Sequence, residues 1–580
     1  MRRRTVLLLT VAGLAAAGAG AVPWTVMDRR AVSQISRDFA GGAGLWLEAG
    51  GPVTLAVLPV PRIKIDHVRL VGADGAVVAR ARQLRGELRL LPLLAGRFEL
   101  DDLTLIEPVF RAPPADADGA ALWSAALAAS TEMWRRASGG AWRPRRVTLV
   151  AGAFDAADGR AALARDISLT ATWPSPASPV AISGVAAIGG EAYEISVSGF
   201  SPEAVATDGS CQVTARLSGA PLKAELRGAL TDGARRFEGQ ASLSAPAIGR
   251  LAPWRNLNLD RNAGDLPASV EGRLTVNARS AALSPATARI GDNTLEGALS
   301  LRPGDAGGWA LAGTLAADTL DLRFAGGGAW WSQPPFLASD GLRDWEVDLR
   351  LSAASVRLTP ELRASDVATS IVLRHGRVEA VLGSASLLGG ALKGRLNAAP
   401  SAAGLDMRLQ VSAEGLDATR LAFLQGGPIR VSGTLGGAMT LEGEGATRET
   451  LLRNMRGEGH AQVSGGELGG LALAALARRG EAPAADEPVK LRGRTAFSSL
   501  QARWTLSPPG MLGVTGLTVS GSGFTASLSG EAGLSGQPLA LEGALTPANG
   551  APLRLRLSGA WSSPSLAVSA AGAPPQATPP

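Results

Sequence analysis

The 580-residue chain has very little of what chemistry usually requires. It contains one cysteine, three histidines and one tyrosine, and aromatic residues make up only 4%. A lone Cys211 excludes an intrachain disulfide framework and suits a small apolar filler. None of His67, His375 and His460 has a Cys, His or carboxylate partner at metal-ligand spacing, so neither a metal nor any other cofactor is expected. Lysine occurs only at Lys64, Lys223, Lys393 and Lys490. The formal charge of +6 is spread over 57 basic and 51 acidic residues without a long run of either sign. Nucleic acid needs a concentrated basic patch, and none is present.

The motifs of common enzymes are also missing. There is no G-x-S-x-G elbow, no H-E-x-x-H helix and no P-loop lysine. Gly521-Ser522-Gly523 and the many Gly-Gly pairs do not open a helix after a strand, so they read as turn glycines. Asp101, Asp102 and Glu107 form a small acidic group that reads as hydrated surface in preference to a catalytic acid and base. His67 reads as a solvated strand position, His375 as part of a turn before Gly376, and His460 as a residue at a strand start. No catalytic residue is expected, and the chain reads as a non-enzyme.

What is abundant is aliphatic. Apolar residues make up 46% of the chain and glycine 73 positions, so the chain can bury a sizeable core, built mainly of Ala, Leu and Val. The longest apolar run is at the start. Arg2, Arg3 and Arg4 precede an uncharged stretch from Thr5 to Met27, closed by Asp28, Arg29 and Arg30. That stretch is long enough for a helix to cross a hydrocarbon layer of roughly 30 Å, and the arginine asymmetry orients it N-in. A single-pass anchor within residues 1–30 is expected, with Trp24 at the far interface. Its length exceeds the h-region of a secretory signal, about 7–15 residues, which favours retention over cleavage. Val32, Ile35 and Phe39 then suggest a short amphipathic helix.

From Leu45 to Val568 the dominant pattern has period two. Val270, Leu274 and Val276 alternate with Glu271, Arg273 and Thr275; Val347, Leu349 and Leu351 alternate with Asp348, Arg350 and Ser352; Leu553, Leu555 and Leu557 alternate with Arg554 and Arg556. Leu517 and Val519 belong to another such run. Successive strand side chains point to opposite faces, so each segment is half apolar and half wet, as in antiparallel sheet. Turn signals such as Thr231-Asp232-Gly233 separate the segments. Helices are expected at 120–136, after Thr447 as N-cap, and over Leu468 to Arg478. Residues 481–488 read as a loop and 570–580 as a disordered tail. The expected fold class is mainly β: an N-terminal transmembrane helix, then a long twisted antiparallel sheet curled into a groove, with a few short helices.

A one-sided apolar sheet must cover that side, and so few helices are insufficient for it. The sheet either closes as a sandwich or curls into a trough that accepts an apolar ligand. Few bulky aromatics favour the trough. The candidate lining is Leu274, Val276, Val347, Leu349, Leu351, Leu517, Val519, Leu553, Leu555 and Leu557. On the order of 30 strands at roughly 4.8 Å would extend on the order of 140 Å, and less if folded into two layers.

Two regions carry a family resemblance. Residues 37–108 include RDFAGGAGLWLEAGGPVTLAVLPVPRIKIDHVRLVGADG and LRGELRLLPLLAGRFELDDLTLIEPVF. Residues 404–568 include GLDATRLAFLQGGPIRVSGTLGGAMTLEGEGATRETLLRNMRGEGHAQVSGGELGGLALAAL. Both resemble the AsmA family, the first its opening module and the second its C-terminal block. The chain then divides into an anchor (1–30), an AsmA-like N-terminal module (31–112), a divergent β-rich body (113–403), an AsmA-like C-terminal module (404–569) and a tail (570–580). The resemblance implies a protein of the bacterial inner membrane with its body in the periplasm. Such a protein binds or conducts phospholipid along a hydrophobic β-groove and supports outer-membrane biogenesis. Its partners would be membrane lipids, with envelope proteins as further partners and no nucleic acid. The alternative is a structural or interaction protein that regulates outer-membrane protein assembly or targeting without carrying lipid.

Overall fold

The computed structural model describes residues 24–26, 45–72, 77–91, 100–111, 144–155, 162–175, 178–206, 209–233, 235–251, 265–277, 279–304, 308–322, 345–359, 362–421, 429–479, 493–533, 539–560 and 563–570. Almost all of this is strand. The expected anchor before Trp24, the amphipathic helix at 31–39, the helix at 120–136, the loop at 481–488 and the tail beyond Ala570 lie outside the described residues. Trp24–Val26 themselves form a strand, paired with Val53–Leu55. Residues 24–26 of the long apolar run are therefore strand and not helix, and no described helix is long and apolar enough to cross a membrane.

The chain forms two compact units. The first contains β1 (Trp24–Val26), β2 (Leu45–Ala49), β3 (Val53–Ala56), β4 (Arg62–Gly72), β5 (Val77–Leu88), β6 (Leu100–Arg111), β7 (Arg146–Asp155), β8 (Ala162–Thr172), β9 (Val180–Ile188), β10 (Glu191–Phe200), α1 (Pro202–Ala206), β11 (Cys211–Gly219), β12 (Lys223–Thr231), β13 (Arg236–Ala245), β14 (Ala268–Val276) and β15 (Ala281–Ile290). Strands β16 (Asn293–Pro303) and β17 (Trp309–Asp321) contribute residues to both units. The second contains β18 (Trp345–Arg357), β19 (Arg363–Arg374), β20 (Arg377–Leu387), β21 (Gly390–Ser401), β22 (Gly404–Asp417), β23 (Arg430–Val431), β24 (Thr434–Gly445), α2 (Arg448–Arg453), β25 (Arg456–Gly469), α3 (Leu473–Arg479), β26 (Arg494–Ser507), β27 (Met511–Gly521), β28 (Phe524–Gly533), β29 (Leu539–Pro547), β30 (Leu553–Ala560) and β31 (Ser563–Ala570).

Within each unit most pairings join sequence neighbours, as short turns demand, while β1 pairs with β3, β2 with β4, β22 with β24 and β23 with β25. The turn at His375-Gly376 has both residues at positive φ, 51° and 74°, between the paired Arg374 and Arg377. Such a conformation fits a two-residue hairpin. One pairing departs from the antiparallel expectation: β6 and β7 run parallel. A parallel pair needs a crossover of about a dozen residues or more, and the chain supplies it between Arg111 and Arg146. Surface ion pairs hold the junction, with Arg145 on Asp101 at 3.4 Å and Arg146 on Asp102 at 3.4 Å.

The helices are short. α2 begins after Thr447 as expected, with Thr447 as N-cap in a capping box with Thr450. α3 begins at Leu473 and not at Leu468, because Leu468 is still in β25, paired with Thr495. Thr495 also anchors α3. Fully buried, its hydroxyl accepts from the Leu473 amide at 2.8 Å and donates to the Leu471 carbonyl. Thr495→Val keeps the shape but strands both backbone groups, so we expect a loss of about 2 kcal/mol, measured as a lower urea midpoint.

Each unit has a closed core, and the first carries two smaller buried clusters besides, around Val205 and around Tyr193. In the first, Ile63, Ile65, Leu84, Leu88 and Leu100 are at most 3% exposed on β4 to β6. The nearby Asp66 carboxyl is held below its usual range, chiefly by the Gln83 amide donating at 2.8 Å, with Lys64 3.2 Å away. In the second, Leu539, Leu545, Leu553, Leu555 and Leu566 are equally buried, with Leu473, Leu476 and Ala477 of α3 and the rings of Phe497 and Phe524 in the same cluster.

Candidate functional site

The strand register extends these cores into continuous apolar faces. Residues directly opposite one another across a strand pair share a face. In the second unit one row runs Leu349, Ile371, Ala380, Leu396, Leu409 and Leu441 across β18 to β22 and β24. It continues through Gly457, Leu506, Leu512, Ala532 and Leu539. A neighbouring row passes from Leu351 through Leu382, Val411, Met439, Trp504 and Leu541 to Leu557 and Leu566. Glycine 459 stands opposite Trp504 and leaves no room for a Cβ against that ring, so the bulky indole lies over a residue without a side chain.

The first unit has a similar face. Ile195, Leu217, Ala224, Leu243, Val270 and Ala288 form one row across β10 to β15. Val197, Ala215, Leu226, Ala241, Gly272 and Ala286 form the next. Tyr193, fully buried, marks one border opposite Gly219, and burial together with the Glu191 carboxylate pushes its phenol pKa up. Cys211 lies at another, packed with Val205 and Val213 beside α1.

The candidate lining residues all lie on these faces, in surroundings of two kinds. Leu274 and Val276 in the first unit, and Val347, Leu349, Leu351 and Leu517 in the second, are half-buried. Val519, Leu553, Leu555 and Leu557 are 0–6% exposed and belong to the closed core under α3. The apolar face of the second unit thus grades from open over β18–β22 to sealed over β29–β31. That of the first grades from sealed over β4–β6 to open over β11–β15, where Leu226, Leu243 and Ile290 are 37%, 40% and 37% exposed. The closed end was not visible in period-two alternation, which is identical in Leu349 and Leu555. The available signal was the apolar triad of α3 and the phenylalanines of β26 and β28, which supply the cover.

The opposite faces are wet. Ion pairs cross them strand to strand, such as Arg289 on Glu271 at 2.7 Å and Arg556 on Glu542 at 2.7 Å. Asp101, Asp102 and Glu107 are engaged in the same way, with Arg89, Arg146 and Arg82. Such exposed pairs are each worth about 0–1 kcal/mol. Gly521 to Gly523 is the β27–β28 turn. His67 and His460 lie within strands, both exposed, so His460 is not at a strand start. Among the described residues no three His, Cys, Asp or Glu side chains gather as a metal site.

No curated protein and no solved structure matches the chain. The model of the AsmA family matches residues 318–506. The match takes in the first part of the C-terminal block recognised above and a stretch before it that had shown only general β character; residues 37–108 lie outside it. That match, from the end of β17 through most of β26, makes residues 318–506 similar to the AsmA family and supports an assignment to it.

Proposed function

We propose that the apolar faces bind and conduct the acyl chains of phospholipids, in a protein held at the bacterial inner membrane with its body in the periplasm and acting in outer-membrane biogenesis. The single observation that supports this is the unbroken row from Leu349 to Leu441, half-buried and without a helix between β18 and β22. A sixteen-carbon tail costs on the order of 12 kcal/mol to expose to water, at about 0.8 kcal/mol per methylene. An aliphatic row offsets that cost at every position, so a tail can move along it without crossing a large barrier. The wet face, laced with arginine and glutamate, meets solvent. No catalytic step belongs to this role.

The test is site-specific photocrosslinking of the full chain in its native membrane, with the probe at Leu349, Leu396 and Leu409. Adducts to phospholipid are the expected result. Adducts to protein alone would support the other reading, a structural protein that influences outer-membrane protein assembly.

A further inference from the structure

The β20–β21 hairpin carries a cleft of about 880 Å³ that the apolar face does not explain. Its floor is made by residues with little or no side chain, Gly389, Gly390, Ala391 and Gly415. Space above Gly389 is open, since a Cβ there would meet nothing within 4 Å. The turn that creates the floor is unusual. Leu388, a bulky residue, has φ 49° and is followed by Gly389 at 85°. A left-handed Leu costs on the order of 1 kcal/mol, and here it is kept buried while its carbonyl accepts from the Asp417 amide at 3.0 Å.

Charged groups surround that floor. Arg363 enters from the start of β19, Arg420 from the turn after β22, and Glu414 from β22; Ser365 and Ser386 stand on the same wet-face row as Glu414. Among the described residues none of Arg363, Arg420 and Glu414 has an ion-pair partner, although arginine–glutamate pairs are common on this sheet. Two guanidinium groups and two hydroxyls are donors suited to phosphate oxygens. One carboxylate in the same cleft is an acceptor suited to an ammonium group.

We infer that this cleft is a headgroup site for a phosphate ester carrying a primary amine, as in phosphoethanolamine. Its position gives that chemistry a route to a lipid. Ser386 points to the wet face, while the next residue, Leu387, lies on the apolar face and is buried. The hairpin is the rim where the two faces meet, so one molecule can place its head in the cleft and its tails on the row beside Leu382 and Leu396. The lipid origin of the ligand rests on the acyl-chain reading above; the cleft itself does not.

Phosphorus NMR titration of the full chain, purified in a phosphate-free detergent, separates the two. The probes are O-phosphoethanolamine, inorganic phosphate and dihexanoyl-phosphatidylethanolamine. Phosphoethanolamine is expected to bind more tightly than phosphate. Arg363→Gln with Arg420→Gln should weaken both by about tenfold. Glu414→Gln should weaken phosphoethanolamine roughly fivefold, to the level of phosphate, which itself stays unchanged or tightens. All three side chains are exposed, and unchanged thermal unfolding verifies that the variants fold. Equal binding of the two soluble probes to the natural chain, or variants that bind as it does, would overturn the site. Displacement of phosphoethanolamine by the short-chain lipid supports a lipid headgroup, and failure of that displacement overturns the lipid origin. A chain that binds phosphoethanolamine here yet gives no lipid adduct at Leu349 would leave the cleft standing and sink the acyl-chain reading.

Discussion

Leu349→Asp combined with Leu396→Asp should abolish acyl-chain binding while leaving the protein folded. Both residues lie in one row of the second unit, with Ile371 and Ala380 between them, and both are half-buried. A carboxylate at such a position keeps much of its hydration, so the cost to folding is about 1–2 kcal/mol per site. A tail passing over it must either strip that water or leave the row. At about 3 kcal/mol, such a barrier lowers occupancy on the order of a hundredfold. The measurement is phospholipid recovered per protein by mass spectrometry after detergent-free extraction. Ser412→Asp, on the exposed wet face of β22, is the control and should retain lipid. Equal lipid in the row variant and the control would refute a role for this face.

Leu555→Asp should do the reverse and unfold the C-terminal end. Leu555 has no exposed surface and stands between Gly543 and Val568, in the core that α3 covers. A buried carboxylate there has no partner, so either its charge or its protonated polar atoms go unsatisfied. The expected loss is about 4 kcal/mol or more, a large part of the 5–15 kcal/mol that typically holds a domain together. Limited proteolysis should cut within β28 to β31 in the variant and not in the natural chain. Val519→Arg falls in the same class, since Val519 is 4% exposed. It therefore cannot serve as a fold-sparing probe of lipid binding, whereas Leu349→Asp can. A Leu555→Asp chain that resists protease as well as the natural one would show that the closed end is not closed.

The contrast between these two leucines marks what could be read from residues alone. Alternation in β14, β18 and β30 places Leu274, Leu349 and Leu555 on apolar faces, because a period of two sends successive side chains to opposite sides. Thr447 announces α2 because its hydroxyl can satisfy an orphan helix amide. Asp232-Gly233 and His375-Gly376 announce turns through their tolerance of positive φ. These are local effects, decided within a few residues, and they determined the strands, the turns and the wet and apolar faces.

Nothing local distinguishes a leucine that meets solvent from one that meets another leucine. Whether Leu349 is half-open and Leu555 sealed depends on α3, Phe497 and Phe524 arriving from elsewhere in the chain, and only the tertiary structure decides it. The parallel pairing of β6 with β7 is also non-local, since the crossover between Arg111 and Arg146 sets its direction. The cleft of Arg363, Glu414 and Arg420 assembles from the start of β19 and the end of β22 around a turn whose leucine is held left-handed by contacts beyond its neighbours. Sequence determined which residues are apolar and in what rhythm; packing over distance determined which of them remain available to a ligand.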